Sequence, residues 1–190
     1  MNNHSIILAS NSPRRKELME DCGLPFVTEN ADIQEILDIA LPIEEAIEQI
    51  ALQKAEAVYC KHPEKLVLGC DTMVIYQGLP LGKPKNKDDA RNMLTLLSGH
   101  THKVISGVAI LGKGISVLFH ETTEVTFYEL DEDFLCSYLD SEEPYDKAGA
   151  YGIQGKGKLL VEKIDGDYYN VMGLPIAKVY RELKKLTKFQ

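Results

Sequence analysis

Several short stretches carry residue types able to do chemistry. The first is Ser12-Pro13-Arg14-Arg15, which follows the apolar run Ile6–Ala9. A strand feeding a polar loop and a helix start is a ready anion site, because unpaired N–H groups and the helix dipole face the ligand. Cations in a first helical turn normally cost about 0.3–1 kcal/mol each. Adjacent arginines there point to a compensating anion, and guanidinium suits phosphate. The same pattern fits a surface helix whose arginines face solvent, and the local residues leave both readings open.

The second is "LVLGCDTMVI", where Asp71 and Thr72 interrupt an apolar strand. A carboxylate at a strand's C-terminal end is well placed for catalysis or metal binding in an open α/β sheet; the alternative is a turn-forming aspartate. An aspartyl-nucleophile phosphatase typically has a second Asp two residues on, and here that residue is Met73. The third is "LGKPKNKDD". Its Lys83, held by a stiff Lys-Pro step, is either phosphate-directed or part of a solvated basic loop.

The fourth is "DKAGAYGIQGKGKLLVEKI". Gly152 to Lys158 matches G-x-x-x-x-G-K, but Leu159 stands where a P-loop needs Ser or Thr for magnesium. The following "LLVEKI" is strand-like, so the match is rejected. The glycines suit tight turns or close approach of backbone to a ligand. Gln154 stands out among them because its amide offers a donor and an acceptor. His100 and His102 have no third ligand nearby in sequence and make no metal site. Glu35, in a loop after the second expected strand, is a further candidate acid.

The elements that must position these residues follow from periodicity and punctuation. Ile6–Ala9 reads as a buried strand. Ser12 offers an N-cap and Pro13 a first helical position, for a helix running to Gly23. "PFVTENAD" reads as a second strand. From Pro42, Ile43, Ala46, Ile47, Ile50 and Ala51 recur at helical spacing. "KLVLGCDTMVIYQGLPL" reads as a strand, a polar break and a hairpin at Gln77-Gly78. A helix capped by Asn86 and ended by Gly99 comes next. Two or three strands with a turn at Gly112-Lys113-Gly114 follow it. Asp131 to Asp140 reads as a short helix, "GKLLVEKIDGDYYNV" as a strand and turn, and "GLPIAKVYRELKKL" as a closing helix. The pattern predicts an α/β fold with a mixed β-sheet flanked by helices.

The chain has 190 residues, enough for one domain or one core with two lobes, and it is read as a single domain over 1–190. With 44% apolar and 26% charged residues it has the composition of a folded globular protein. A formal net charge of −8 argues against nucleic acid and anionic membrane as partners. No apolar run approaches the roughly 20 residues that span a bilayer, and the N-terminus does not read as a signal peptide. Cys22, Cys60, Cys70 and Cys136 form no C-x-x-C pair, which fits reduced thiols and a cytoplasmic location.

Taken in order, "LASNSPRRKEL", "QKAEAV", "GCDTMV", "LGKP", "LSGHTHKVISGVAI", "EPYDKAGAYGIQGKG" and "IDGDYYNVMGLP" resemble the Maf (septum-formation) nucleotide pyrophosphatases from about residue 6 to about residue 176. The resemblance implies an inosine-triphosphate-pyrophosphatase-like fold with a central substrate cleft. It implies hydrolysis of a nucleoside triphosphate between the α and β phosphates, giving monophosphate and pyrophosphate, with Mg²⁺ or Mn²⁺. Asp71 matches the family's catalytic proton acceptor. Arg14, Thr72 and Gln154 match positions tied to substrate choice in the branch acting on dTTP and UTP. Arg15, Lys54 and Lys83 match basic residues that hold the triphosphate, and Ser12, Asp146 and Lys147 fall in substrate-binding segments.

The family usually has adjacent acids after the second strand. Here the pair is Gln34-Glu35, which leaves Glu35, with Asp71, as the implied metal ligands. The implied activity is dTTP and UTP hydrolysis in nucleotide metabolism, extending to modified pyrimidine nucleotides. A link to arrest of septum formation, a homodimer and a division-protein partner are further family-level expectations. The alternative is a non-catalytic nucleotide-binding regulator of septum formation that acts through a protein partner.

Overall fold

A computed structural model describes residues 6–188. In chain order the elements are β1 (Ile6–Leu8), α1 (Pro13–Asp21), β2 (Phe26–Thr28), α2 (Ile43–Tyr59), β3 (Leu66–Tyr76), β4 (Leu79–Leu81) and α3 (Lys87–Leu97). Then come β5 (Thr101–Gly112), β6 (Ile115–Phe127), α4 (Glu132–Leu139), β7 (Val161–Asp165), α5 (Tyr168–Met172) and α6 (Ile176–Lys188). Short 3-10 turns lie at Ala148–Ala150 and Gly155–Leu159. The strands are hydrogen-bonded in the order β2-β1-β3-β5-β6-β7, with β4 on β3. β1 is parallel to both β2 and β3, whereas β4 on β3 and β7 on β6 are antiparallel. This is the expected α/β architecture with a mixed sheet and helices.

The chain divides into two compact units. The first holds the residues up to Asp71, then Ser106–Glu121, and those from Gly173 onward. The second holds Thr72–Ile105 and Thr122–Met172. The core of the first unit gathers Ile7 and Ala9, Ala51, Ala55 and Val58 of α2, Val67 of β3, and Ala109 and Leu111 of β5. Small residues dominate the α2 face for a reason visible at Gly69 and Gly107. A Cβ added at Gly69 would lie 2.2 Å from the Ala51 carbonyl oxygen, and one at Gly107 would lie 2.5 Å from that of Ile47. The α2 backbone therefore rests almost directly on the strands. The core of the second unit is larger-grained, with Leu94, Leu97, Phe127, Tyr138, Leu139, Tyr151 and Leu160 among its buried members.

Local signals match most of the sequence expectations. The Ser12 Oγ accepts the Arg15 N–H at 3.4 Å with Pro13 opening α1, and Gly23 follows the helix at φ +63°. Asn86 caps α3 through the Asp89 N–H at 2.9 Å, and Asp131 caps α4 through the Phe134 N–H at 2.8 Å. Gln77 and Gly78, at φ +51° and +78°, turn β3 into β4 as a primed hairpin turn requires.

One expectation is corrected: β3 is unbroken from Leu66 to Tyr76, so Asp71 and Thr72 lie within a strand instead of interrupting it. Continuity comes from pairing on both sides of them, with β1 along Leu66–Leu68 and with β4 along Val74–Tyr76. β1 ends at Leu8 opposite Leu68, so Asp71 still lies beyond the carboxyl end of the parallel β1–β3 pair. In addition "YYNVM" forms α5 where only a turn was expected, begun by Asp167, whose Oδ1 accepts the Tyr169 N–H at 2.9 Å.

Candidate active site

In the first unit, three of the residues singled out from sequence come into direct contact. The Lys54 Nζ lies 2.5 Å from Asp71 Oδ1 and 2.8 Å from Glu35 Oε1. Lys54 occupies the apolar stripe of α2, four residues after Ile50 and three after Ala51, so the helix presents it toward the strands. Gly69 and Asp71 are two apart in β3 and share the face that α2 covers. The glycine lets the helix approach, and the aspartate meets the lysine.

Glu35 reaches the same ammonium from the loop after β2. Its neighbour Ile36 is clamped to α2 at both main-chain groups. The Ile36 N–H donates to Gln53 Oε1 at 3.2 Å, and Gln53 Nε2 donates to the Ile36 carbonyl at 3.1 Å. Gln53 is a residue that sequence reasoning passed over, although it stands one position before Lys54.

The side chains of Lys54 and Asp71 are 12% and 11% exposed, against 50% for Glu35, so the ion pair is sheltered while one carboxylate remains open to solvent. Two negative charges face one positive charge. That donor set fits Mg²⁺ or Mn²⁺, which take one or two protein carboxylates and complete their shell with phosphate oxygens and water. Among the described residues no group of three or more His, Cys, Asp or Glu gathers as a protein-only metal cage.

The helix start at α1 is built around Arg15. Its Nε donates to the Gly173 carbonyl at 2.8 Å, and its Nη1 to Ser10 Oγ at 3.3 Å. The same Ser10 hydroxyl accepts the Ser12 N–H at 3.2 Å. Cys70 also donates to the Gly173 carbonyl, at 3.3 Å. Neighbouring strand residues project to opposite faces. Arg15 is thus anchored beside Cys70 on one face of β3, and Lys54 beside Asp71 on the other. Arg14 is half-buried in the same helical turn.

In the second unit, Thr72 is half-buried on β3 and Lys83 is exposed just after β4. The loop bearing Lys83 is tied to the segment after Lys147, since the Gly149 N–H donates to the Gly82 carbonyl at 3.0 Å. The Lys147 ammonium is engaged by Asp146 Oδ1 and by the Glu143 carbonyl, both at 2.5 Å. Gln154 is half-buried and immediately precedes the 3-10 turn Gly155–Leu159, which its side chain does not cap. The cap is Glu143, another residue missed from sequence. Its Oε1 and Oε2 each accept the Lys156 N–H at 3.0 Å, and Oε2 accepts the Gly157 N–H at 3.3 Å.

His102, set aside as a metal ligand, is buried, with Nε2 2.7 Å from Tyr151 Oη and its ring edge-on to Phe127. Burial pushes its pKa down to about 4.

The model of the Maf-like protein family matches residues 5–186. A Bacillus cereus protein named dTTP/UTP pyrophosphatase is 52% identical over 180 residues, covering 95% of this chain and 94% of its own. A Bacillus anthracis protein of the same name shows the same identity and coverage. A further Bacillus cereus protein so named is 50% identical over 184 residues, covering 97% of this chain and 91% of its own. Among solved structures, the Staphylococcus aureus Ham1 protein is similar at 15% identity and a TM-score of 0.46, over 66% of this chain and 72% of that one. The chain belongs to the Maf family.

Proposed function

We propose that the chain hydrolyses dTTP and UTP to the nucleoside monophosphate and pyrophosphate. The observation that carries the chemistry is the sheltered Lys54–Asp71 ion pair, with the open Glu35 carboxylate on the same ammonium, beyond the end of the parallel strand pair. The substrate preference rests on relatives of that name, alike over nearly the whole chain. A triphosphate brings concentrated negative charge. Lys54, Arg15 and Lys83 supply cations to meet it, and the anchored Arg15 does so with little reorganisation. A divalent cation held by Glu35 and Asp71 would supply Lewis-acid neutralisation of the phosphate oxygens.

Asp71 orients the attacking water and accepts its proton as the water oxygen bonds to the α-phosphorus. The α–β bridging oxygen leaves with pyrophosphate. Lys54, 2.5 Å from Asp71 Oδ1, holds that carboxylate in place before substrate arrives. The Gln154 carboxamide, held in one sense, offers an acceptor for N3–H and a donor for O4 of uracil or thymine, a pattern that cytosine reverses, its N4 amino group donating and its N3 accepting. Arg14 and Thr72 belong to the same selection of nucleotide. Ser12 fixes the loop that holds Arg15, and Asp146 with Lys147 buttresses the segment leading to Gln154. Substrates of this reading include modified pyrimidine nucleotides that keep the O4/N3–H edge.

The test is pyrophosphate release from a panel of nucleoside triphosphates with Mg²⁺ or Mn²⁺. Release is expected from dTTP and UTP, well ahead of CTP. Nucleotide binding without release from any member would turn the reading to the non-catalytic regulator.

A further inference from the structure

The rejected P-loop match does bind an anion through its backbone, and the anion belongs to the chain. Gly155 stands at φ +61°, and the N–H groups of Lys156 and Gly157 converge on the Glu143 carboxylate. Gly155 is needed twice over, because a Cβ there would also lie 2.6–2.8 Å from the atoms of that carboxylate. Gly157 lies under the turn, where a Cβ would come within 2.0 Å of the Gly152 carbonyl oxygen.

Glu143 is itself held. Its N–H donates to Ser141 Oγ at 3.4 Å, that hydroxyl donates to the Tyr138 carbonyl at 2.6 Å, and its carbonyl accepts Lys147 Nζ. Pro144 follows immediately and restricts the Glu143 backbone. A rigid carboxylate therefore grips the main chain two and three residues beyond Gln154.

We propose that Glu143 is a positioning residue for nucleotide selection, fixing the place from which the Gln154 amide meets the base. The proposal rests on the reading of Gln154 as the base-recognising residue. A side chain that discriminates by hydrogen-bond pattern must be held to within about half an ångström. Gln154 has no cap bond of its own to hold it, and the turn that follows it is fixed through Glu143. Charge matters here, because a carboxylate grips N–H groups roughly twice as strongly as a neutral carbonyl does.

The experiment compares kcat/KM for dTTP and CTP in E143A, E143Q, E143D, Q154A and E143A/Q154A, with thermal midpoints alongside. Loss of charged hydrogen bonds worth about 1.5–3 kcal/mol corresponds to roughly tenfold or more, so E143A should lower the dTTP-to-CTP ratio about tenfold. E143Q keeps one acceptor oxygen and should recover part of the ratio, while E143D, one methylene short, should resemble E143A. The double variant should show the same ratio as Q154A. If E143A does not fold, E143Q carries the test with a smaller shift in the same direction. A ratio unchanged in folded E143A or E143Q, while Q154A alters it, overturns the proposal. So does a double variant in which the two effects multiply. If Q154A itself leaves the ratio unchanged, the base-recognition reading falls, and the positioning role with it.

Discussion

Two parts of this protein treat buried charge in opposite ways. Around Asp71, a carboxylate and an ammonium with little exposure face each other, and a second, open carboxylate touches the same ammonium. Around the glycine-rich segment, the buried ionisable side chains are kept neutral: burial holds Tyr138 and Tyr151 well above the usual phenol range and His102 near 4. There the Glu143 carboxylate is committed to backbone N–H groups. Charge that can exchange partners serves a reaction, whereas charge absorbed by the main chain serves shape. In the proposed reaction the ammonium between two carboxylates would trade them for phosphate oxygens; a carboxylate inside a turn would not.

The contrast breaks first at Asp71. D71N should lower turnover by about 10²–10⁴-fold, the range for losing a general base. The fold should survive, because Lys54 keeps Glu35 at 2.8 Å. Parallel kinetics and thermal melts separate the two outcomes, and a melt that collapses along with activity would make Asp71 structural.

The neutral region predicts an acid limb of stability. His102 in the folded chain binds a proton only near pH 4, against 6.5 ordinarily. As pH falls through that window the unfolded chain takes up a proton that the folded chain does not, so stability decreases. The loss is on the order of 3 kcal/mol by pH 4. H102Q should flatten this limb in denaturant titrations at stepped pH; an unchanged limb would assign the acid sensitivity to other groups.

A smaller effect is expected at Gly69, where any Cβ meets the Ala51 carbonyl. G69A should push α2 outward and cost roughly 1–3 kcal/mol as overpacking. Because α2 carries Lys54, activity should fall by more than the lost folded fraction explains, as measured in samples still fully folded. The smallest effect belongs to Q53A. Loosening the Ile36 clamp removes exposed hydrogen bonds worth about 1 kcal/mol. It should reduce turnover several-fold, with a rise in the metal concentration needed for half-maximal activity.

The two parts also differ in how legible they were from sequence. Arg15 and Asp71 are marked by charge in unexpected places and Glu35 is an acid in a polar loop; alternating strands and helices mark the α/β class but not the strand order. Lys54 is a charge in an apolar helical stripe, a local signal, but its significance came only from family resemblance. The continuity of β3 past Asp71 was hidden because it depends on pairing with β4 and β1, which no window of residues displays. Glu143 was hidden for a stronger reason: its partners are main-chain N–H groups 13 and 14 residues away, and backbone donors have no sequence signature. Gln53 escaped similarly, since its clamp closes on the backbone of Ile36. The glycines signalled freedom of backbone but not which group would occupy the space.

The central claim is that water, aligned by Asp71, attacks the α-phosphorus. Hydrolysis of dTTP in heavy-oxygen water, with both products analysed by mass spectrometry, tests it most directly. The account predicts that the label enters dTMP and that pyrophosphate leaves unlabelled. Label in pyrophosphate, or release of orthophosphate in its place, would contradict it.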